Sequence, residues 1–154
     1  MIVLDTNVIS EIMLPRPEPK VLVWLDRQPG SSIWTTSVNI FEIRSGLQSM
    51  PAGKRRTALM DLFERWLVEV VQGRIVNFDE VAARRAADMN ALRKEMGRPA
   101  DSRDTMIAGI VLATHATLAT RNVKHFEDIA SSVVNPWEDA TRKKGSRLGT
   151  VAPD

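Results

Sequence analysis

Short apolar runs rich in β-branched residues alternate along this chain with amphipathic helical stretches, and that alternation leaves few architectures open. The runs fall at residues 2–4, 33–36, 75–78, 117–120 and 132–134. Between them, residues 19–28 begin with a proline and end at Pro29-Gly30, and residues 37–49 follow the second run directly, with Ser37 placed to cap a helix. Leu59, Leu62, Phe63, Trp66, Leu67 and Val70 recur at helical spacing as one apolar stripe. Residues 79–96 carry Val81, Ala82, Met89, Leu92 and Met96 at similar spacing and stop at Gly97-Arg98-Pro99. The last long helix is expected over 101–114. Strands that alternate with helices and carry almost no polar residues belong in a parallel sheet covered on both faces. The fold class is therefore α/β.

Composition narrows the rest. A chain of 154 residues builds one domain. It has no cysteine, which excludes disulfide scaffolds, thiolate nucleophiles and cysteine-ligated metals. No apolar run is long enough to span a membrane, and the opening Met1-Ile2-Val3-Leu4-Asp5 lacks the basic start of a secretory signal, so a soluble cytoplasmic protein is expected. The net charge of +2 resides in residues 139–154, where Arg142, Lys143, Lys144 and Arg147 outnumber the acids. Outside that segment acids and bases balance, so composition alone does not identify a nucleic-acid binder. The expected division is a domain over 1–138 and a basic, disordered tail over 139–154. The four tryptophans are expected to pack rather than to stack on bases.

Chemistry in a parallel sheet gathers outside the carboxyl ends of the strands. Asp5 ends the first run, Glu42 lies in the helix after the second, and Asp104 opens the helix that feeds the fourth. Each has a structural alternative. Asp5 and Asp101 are natural helix caps, and a helical glutamate is commonly just solvated. Asp104, however, lies on the stripe of Ile107, Ala108 and Val111, which a solvated carboxylate would avoid. Three carboxylates at one sheet edge repel unless a cation neutralises them, and oxygen donors alone suit Mg²⁺ or Mn²⁺. Metal-assisted phosphodiester hydrolysis follows as the natural chemistry.

Four segments carry a family resemblance: Ile2-Val3-Leu4-Asp5-Thr6-Asn7-Val8-Ile9-Ser10, Phe41-Glu42-Ile43-Arg44-Ser45-Gly46, Asp104-Thr105-Met106-Ile107-Ala108, and Ala119-Thr120-Arg121-Asn122 through Phe126. In that order and spacing, the chain resembles the PIN-domain ribonucleases, within them the VapC toxins of toxin–antitoxin pairs and their FitB-like branch. The resemblance covers roughly residues 1–138. It implies an α/β/α sandwich with a parallel sheet of four to five strands and Mg²⁺- or Mn²⁺-dependent RNA cleavage. It also implies a homodimer, and inhibition by a VapB-type antitoxin in a complex on operator DNA. Asp5, Glu42 and Asp104 match the family's three acidic positions. The fourth, often Asp, is Asn122 here, which leaves less charge for a second metal and suits a role in orienting water. Thr6 is a candidate for metal or phosphate, and Arg44, Arg121 and Lys124 are candidates for phosphate.

Other folds with an aspartate after the first strand fail on particular residues. A haloacid-dehalogenase phosphatase needs a second aspartate where this chain has Asn7, and no glycine-rich turn serves a nucleotide. His115 and His125 lack metal-ligand spacing. The competing function is a weakly catalytic or non-catalytic module that binds an antitoxin and supports operator binding. Ile9, Ile12, Met13, Leu14, Val21, Leu22, Val23, Trp24 and Leu25 are more apolar surface than two short helices need, and part of it is expected to form a groove for an amphipathic partner helix.

Overall fold

The computed structural model describes residues 1–129 and 131–138. Five strands, β1 (Ile2–Leu4), β2 (Ile33–Thr36), β3 (Ile75–Val76), β4 (Thr117–Ala119) and β5 (Val133–Val134), form one parallel sheet in the order β3-β2-β1-β4-β5. Around it lie α1 (Thr6–Ile12), α2 (Pro19–Asp26), α3 (Ser37–Gln48), α4 (Lys54–Trp66), α5 (Glu80–Glu95) and α6 (Ser102–Thr114). This is the expected α/β/α sandwich. Adjacent residues of β1 point to opposite layers: Val3 joins a core with Ile107, Ile110, Val111 and Leu118, and Leu4 joins one with Val8, Ile9, Val21 and Phe63. The tryptophans pack as expected, Trp24 buried and Trp34, Trp66 and Trp137 against the two cores. The proposed tail at 139–154 lies outside the described residues.

Strand order reverses between β1 and β4, whose Leu4 and Ala119 are register partners. A crevice opens at such a reversal because the two following connections leave in opposite directions. Asp5 and Thr120 are the first residues beyond the paired strands on either side of it.

Three local expectations are corrected. Thr36, not Ser37, caps α3: its hydroxyl accepts the Asn39 amide at 3.1 Å, while the Ser37 hydroxyl accepts the Phe78 amide. The apolar stripe through 59–70 loses phase at its end. A π-helical turn over Leu67–Val71 inserts one residue, so Val71 enters the core and Val70 is 42% exposed. In α5 the buried face is Ala82, Ala86, Met89 and Arg93, whereas Val81, Leu92 and Met96 face outward. The cause is close packing on α6. A Cβ at Gly109 would stand 2.4 Å from the Ala82 carbonyl oxygen and 2.8 Å from the Ala86 Cβ. Only small side chains fit that contact, so α5 turns Ala82 and Ala86 toward Gly109.

Candidate active site

Asp5 is buried at the reversal and its carboxylate accepts four hydrogen bonds. Oδ1 accepts the Thr6 amide at 2.8 Å and the Asn39 side-chain amide at 3.2 Å. Oδ2 accepts the Thr120 hydroxyl at 2.7 Å and the Asn7 amide at 3.3 Å. The bond to Thr6 is the helix cap that the residue's position suggested, and it coexists with membership of the acidic cluster. Burial pushes the Asp5 carboxyl above its ordinary value, against the hydrogen bonds from Thr120, Thr6 and Asn39, and the Asp104 charge adds to the rise.

Glu42 projects from the second turn of α3 beside Gly46, whose missing side chain leaves open space. Burial also raises its carboxyl, with further upward pushes from Asp5, Asp104 and Asp101 that Arg103 partly offsets. Asp104 sits in the first turn of α6 on the same face as the fully buried Ile107, Ala108 and Val111, with its own side chain 23% exposed. Asp101 is the N-cap of that helix, accepting the Arg103 amide at 2.8 Å, and its ion pair with Arg103 holds its carboxyl below the usual range. The three acids of the sequence reading therefore share one electrostatic site.

All the donors are hard oxygens. Among the described residues no group of three His, Cys, Asp or Glu side chains stands close enough together to hold a metal ion between them. Such a set fits a Mg²⁺-sized ion that keeps several waters and touches one or two carboxylates.

The remaining candidates separate. Thr6 lies in the cleft with Glu42, and its hydroxyl oxygen accepts the Asn39 amide at 3.0 Å. Asn122 is exposed, and its backbone N–H, rather than its side chain, is bonded to the Thr120 hydroxyl at 3.1 Å. Arg121 lies over the Trp137 ring, 5.1 Å from its centroid. Lys124 stands near Asp104 in a polar hollow. Arg44 does not join the site: two residues along a helix from Glu42 it faces elsewhere, and it pairs with Glu64 of α4.

Sequence reasoning missed Asn39, Thr120 and His125. Asn39 is wholly buried and joins Asp5, Thr6 and Thr36, the last donating its hydroxyl to the Asn39 side-chain oxygen at 2.6 Å. An asparagine on the buried stripe with Ile43 carried the same signal that singled out Asp104. His125 Nδ1 lies 3.0 Å from Asp104 Oδ2.

Two hollows meet the cluster. The larger, about 680 Å³, is apolar and runs between α1, α3 and α4, with Thr6 and Glu42 at its margin and Met13, Ile43, Leu59 and Leu62 among its walls. It shares Met13 and Leu62 with a further hollow of about 470 Å³ that continues past Ile12, Leu22 and Leu25. Of the apolar residues at 9–25, Ile9, Met13, Val21 and Trp24 serve the core, while Leu14, Leu22 and Val23 remain exposed. The groove is thus formed by part of that segment together with α3 and α4.

The PIN domain family model matches residues 2–131. A VapC ribonuclease (Y4jK) of Sinorhizobium fredii is 39% identical over 91% of this chain and all of its own length. The toxin FitB of Neisseria gonorrhoeae is 33% identical over 90% of this chain and all of its own. Among solved structures, a FitAB complex bound to an IR36 DNA fragment superposes with a TM-score of 0.84 at 31% identity, covering 93% of this chain and all of the matched one.

Proposed function

The chain belongs to the PIN-domain family, and we propose that it is the toxin of a toxin–antitoxin module, an endoribonuclease that hydrolyses RNA phosphodiester bonds and is silenced by a VapB-type antitoxin. The observation that carries this reading is the electrostatic coupling of Asp5, Glu42 and Asp104 at the β1/β4 reversal, in a chain whose relatives are named ribonuclease and toxin. The related FitAB structure is bound to a DNA fragment and its FitB relative is named a toxin, which supports an antitoxin partner and operator DNA; a homodimeric toxin is part of the same proposal. No helix among the described residues is long and apolar enough to cross a membrane, and the cytoplasm, where RNA and antitoxin meet, is the proposed location.

Asp5, Glu42 and Asp104 would hold Mg²⁺ or Mn²⁺, directly or through water. When bound, such an ion supplies charge neutralisation at the phosphate and a nucleophilic water at neutral pH. The protein's own contribution is placement. Thr6, Asn7, Asn39 and Thr120 fix the Asp5 carboxylate in one orientation, so no reorganisation is needed as charge develops. Asn122 orients water at the mouth of the site, Thr6 borders the phosphate, and Lys124 and Arg121 contact the RNA backbone. The apolar groove receives an antitoxin segment that sends a basic side chain to the acids, where a guanidinium or ammonium takes the place of the metal.

The test is RNA cleavage by the purified chain with Mn²⁺, with EDTA, and after Asp5→Asn. Cleavage should need the metal and vanish in the variant. Undiminished cutting in EDTA would overturn the metal assignment, and an intact antitoxin complex from a chain that never cuts RNA would favour the binding-module reading.

A further inference from the structure

Asp104 also lines a second hollow, about 320 Å³, whose walls include Arg98, Pro99, Asp101, Lys124, His125 and Glu127. Its shape is fixed from below. The Arg93 side chain, 3% exposed, donates Nε and Nη2 to the two Asp128 oxygens at 2.8 and 2.9 Å. Nη2 also donates to the His125 carbonyl at 2.9 Å, and Nη1 to the Thr105 hydroxyl at 3.0 Å. One guanidinium thus ties α5, the first turn of α6 and the 3-10 turn Val123–Phe126 together.

The charges of this hollow are largely spoken for. Arg93 faces Asp128, Arg98 faces Glu127 at 3.4 Å, and Arg103 faces Asp101. Lys124 is the one lining cation that forms no ion pair among the described residues. With carboxylates of Asp101, Asp104, Glu127 and Asp128 in the lining, an anion is disfavoured inside. A neutral, flat, polar group is not. The His125 ring lines the hollow, is half-exposed and is held by Asp104 through Nδ1. The carboxylates offer acceptors, and Arg98 and Lys124 offer donors, at the rim. Stacking planes with edge-reading donors and acceptors are how proteins hold unpaired RNA bases.

We propose that this hollow receives an unpaired nucleobase adjoining the scissile phosphate, with His125 stacking on it, Glu127 reading its edge and Lys124 on the neighbouring phosphate. The inference rests on the ribonuclease reading and adds to it a source of sequence preference. The experiment is cleavage of a randomised single-stranded RNA pool by the full chain with Mn²⁺, cut ends being sequenced, for the wild type, Glu127→Gln, His125→Ala and Lys124→Ala. A non-cleavable 2′-O-methyl RNA, followed by fluorescence anisotropy without metal, reads binding separately. Wild type should favour a particular base at one position flanking the cut. Glu127→Gln should reduce that bias about tenfold, the size of one good edge contact, and His125→Ala, which removes a stacking plane open to any base, should weaken anisotropy binding. Lys124→Ala should weaken binding with the bias intact. All three positions are exposed, and melting curves verify folding; Glu127→Gln is isosteric and stands as the test if His125→Ala unfolds. Unchanged bias and affinity in folded Glu127→Gln and His125→Ala would overturn the nucleobase pocket while leaving the ribonuclease reading intact. A wild type that cuts no RNA would instead overturn that reading, and the pocket with it.

Discussion

The two flanks of the acidic cleft are built on opposite principles. On the Glu42 side, α1, α3 and α4 leave an open apolar groove, with Gly46 contributing no side chain and a Cβ there meeting nothing within 4 Å. On the Asp104 side, α5 and α6 approach so closely that Gly109 has no room for a methyl group, and buried Arg93, paired with the partly exposed Asp128, ties down the turn carrying Lys124 and His125. An apolar, unfilled groove gains free energy from any apolar segment that covers it. A rigid polar pocket gains little from burial, yet discriminates strongly, because each donor or acceptor left unmatched costs desolvation. The difference suits the groove, which Glu42 borders, to the proposed protein partner and the pocket, which Asp104 borders, to the proposed substrate, with buried Asp5 coupled electrostatically to both acids.

Asp5 should show the largest effect. Asp5→Asn keeps the size of the side chain but places an N–H₂ where two acceptor positions are needed, and it removes the charge that would hold the cation. Cleavage should fall by about a thousandfold or more, measured as kcat on a single RNA. A variant retaining a tenth of wild-type activity would remove Asp5 from the mechanism.

On the polar flank, Arg93→Met should cost about 1–3 kcal/mol, because it takes the charged donor from the Asp128 carboxylate, whose side chain is 21% exposed; urea unfolding measures it. Arg93→Met combined with Asp128→Leu should recover most of that loss. The penalty also depends on pH. The hydrogen bond from Arg93 holds the Asp128 carboxyl below its ordinary value of 3.8. A carboxyl depressed in the folded state adds stability above that value and loses it as pH falls through the folded one. The gap between wild type and Arg93→Met should therefore be flat near neutrality and narrow in acid below about pH 4. A gap independent of pH would mean that the pair acts through packing alone.

The apolar flank predicts a smaller and separable change. Ala58 is exposed on α4 and lines the groove. Ala58→Glu suits a helix and should leave melting and RNA cleavage as in the wild type. Binding of the antitoxin should weaken about tenfold, which calorimetry reads directly. An unaltered affinity would place the partner elsewhere.

Much of this contrast was legible in the sequence, and the parts that were not fail for identifiable reasons. The alternation of apolar runs and helices specified a covered parallel sheet, since no other arrangement buries strands that are apolar on both faces. Asp104 was legible because a carboxylate on a buried stripe contradicts its surroundings. Asn39 carried the same contradiction, but its partners Asp5 and Thr120 are brought together only by strand order, which periodicity does not contain. His125 was set aside for want of metal-ligand spacing, although its contact to Asp104 needs no such spacing. Arg93 was hidden by the opposite problem: an arginine reads as surface, and its burial depends on Asp128, 35 residues away. Arg44 pairs with Glu64 of α4 rather than with the acidic cluster, because a residue two along from Glu42 lies on another face of the helix.

Asp104 supplies the smallest and most diagnostic change. In the metal-free protein its charge stands near those of Asp5 and Glu42, whose carboxyls are both pushed upward in part by it. Asp104→Asn removes that repulsion. It also removes a carboxylate from the first turn of α6, where the helix dipole is worth about 0.3–1 kcal/mol. The cap itself is untouched, because Asp101 holds the Arg103 amide. An asparagine can still accept a hydrogen bond from His125 through its side-chain oxygen. The opposing changes nearly cancel, so the metal-free variant should melt at or slightly above the wild type while losing RNA cleavage. A calorimetric scan in EDTA measures this. A drop of several degrees would show that Asp104 stabilises the helix start more than it repels its neighbours, and would return it to the structural role that its position in the first turn also allows.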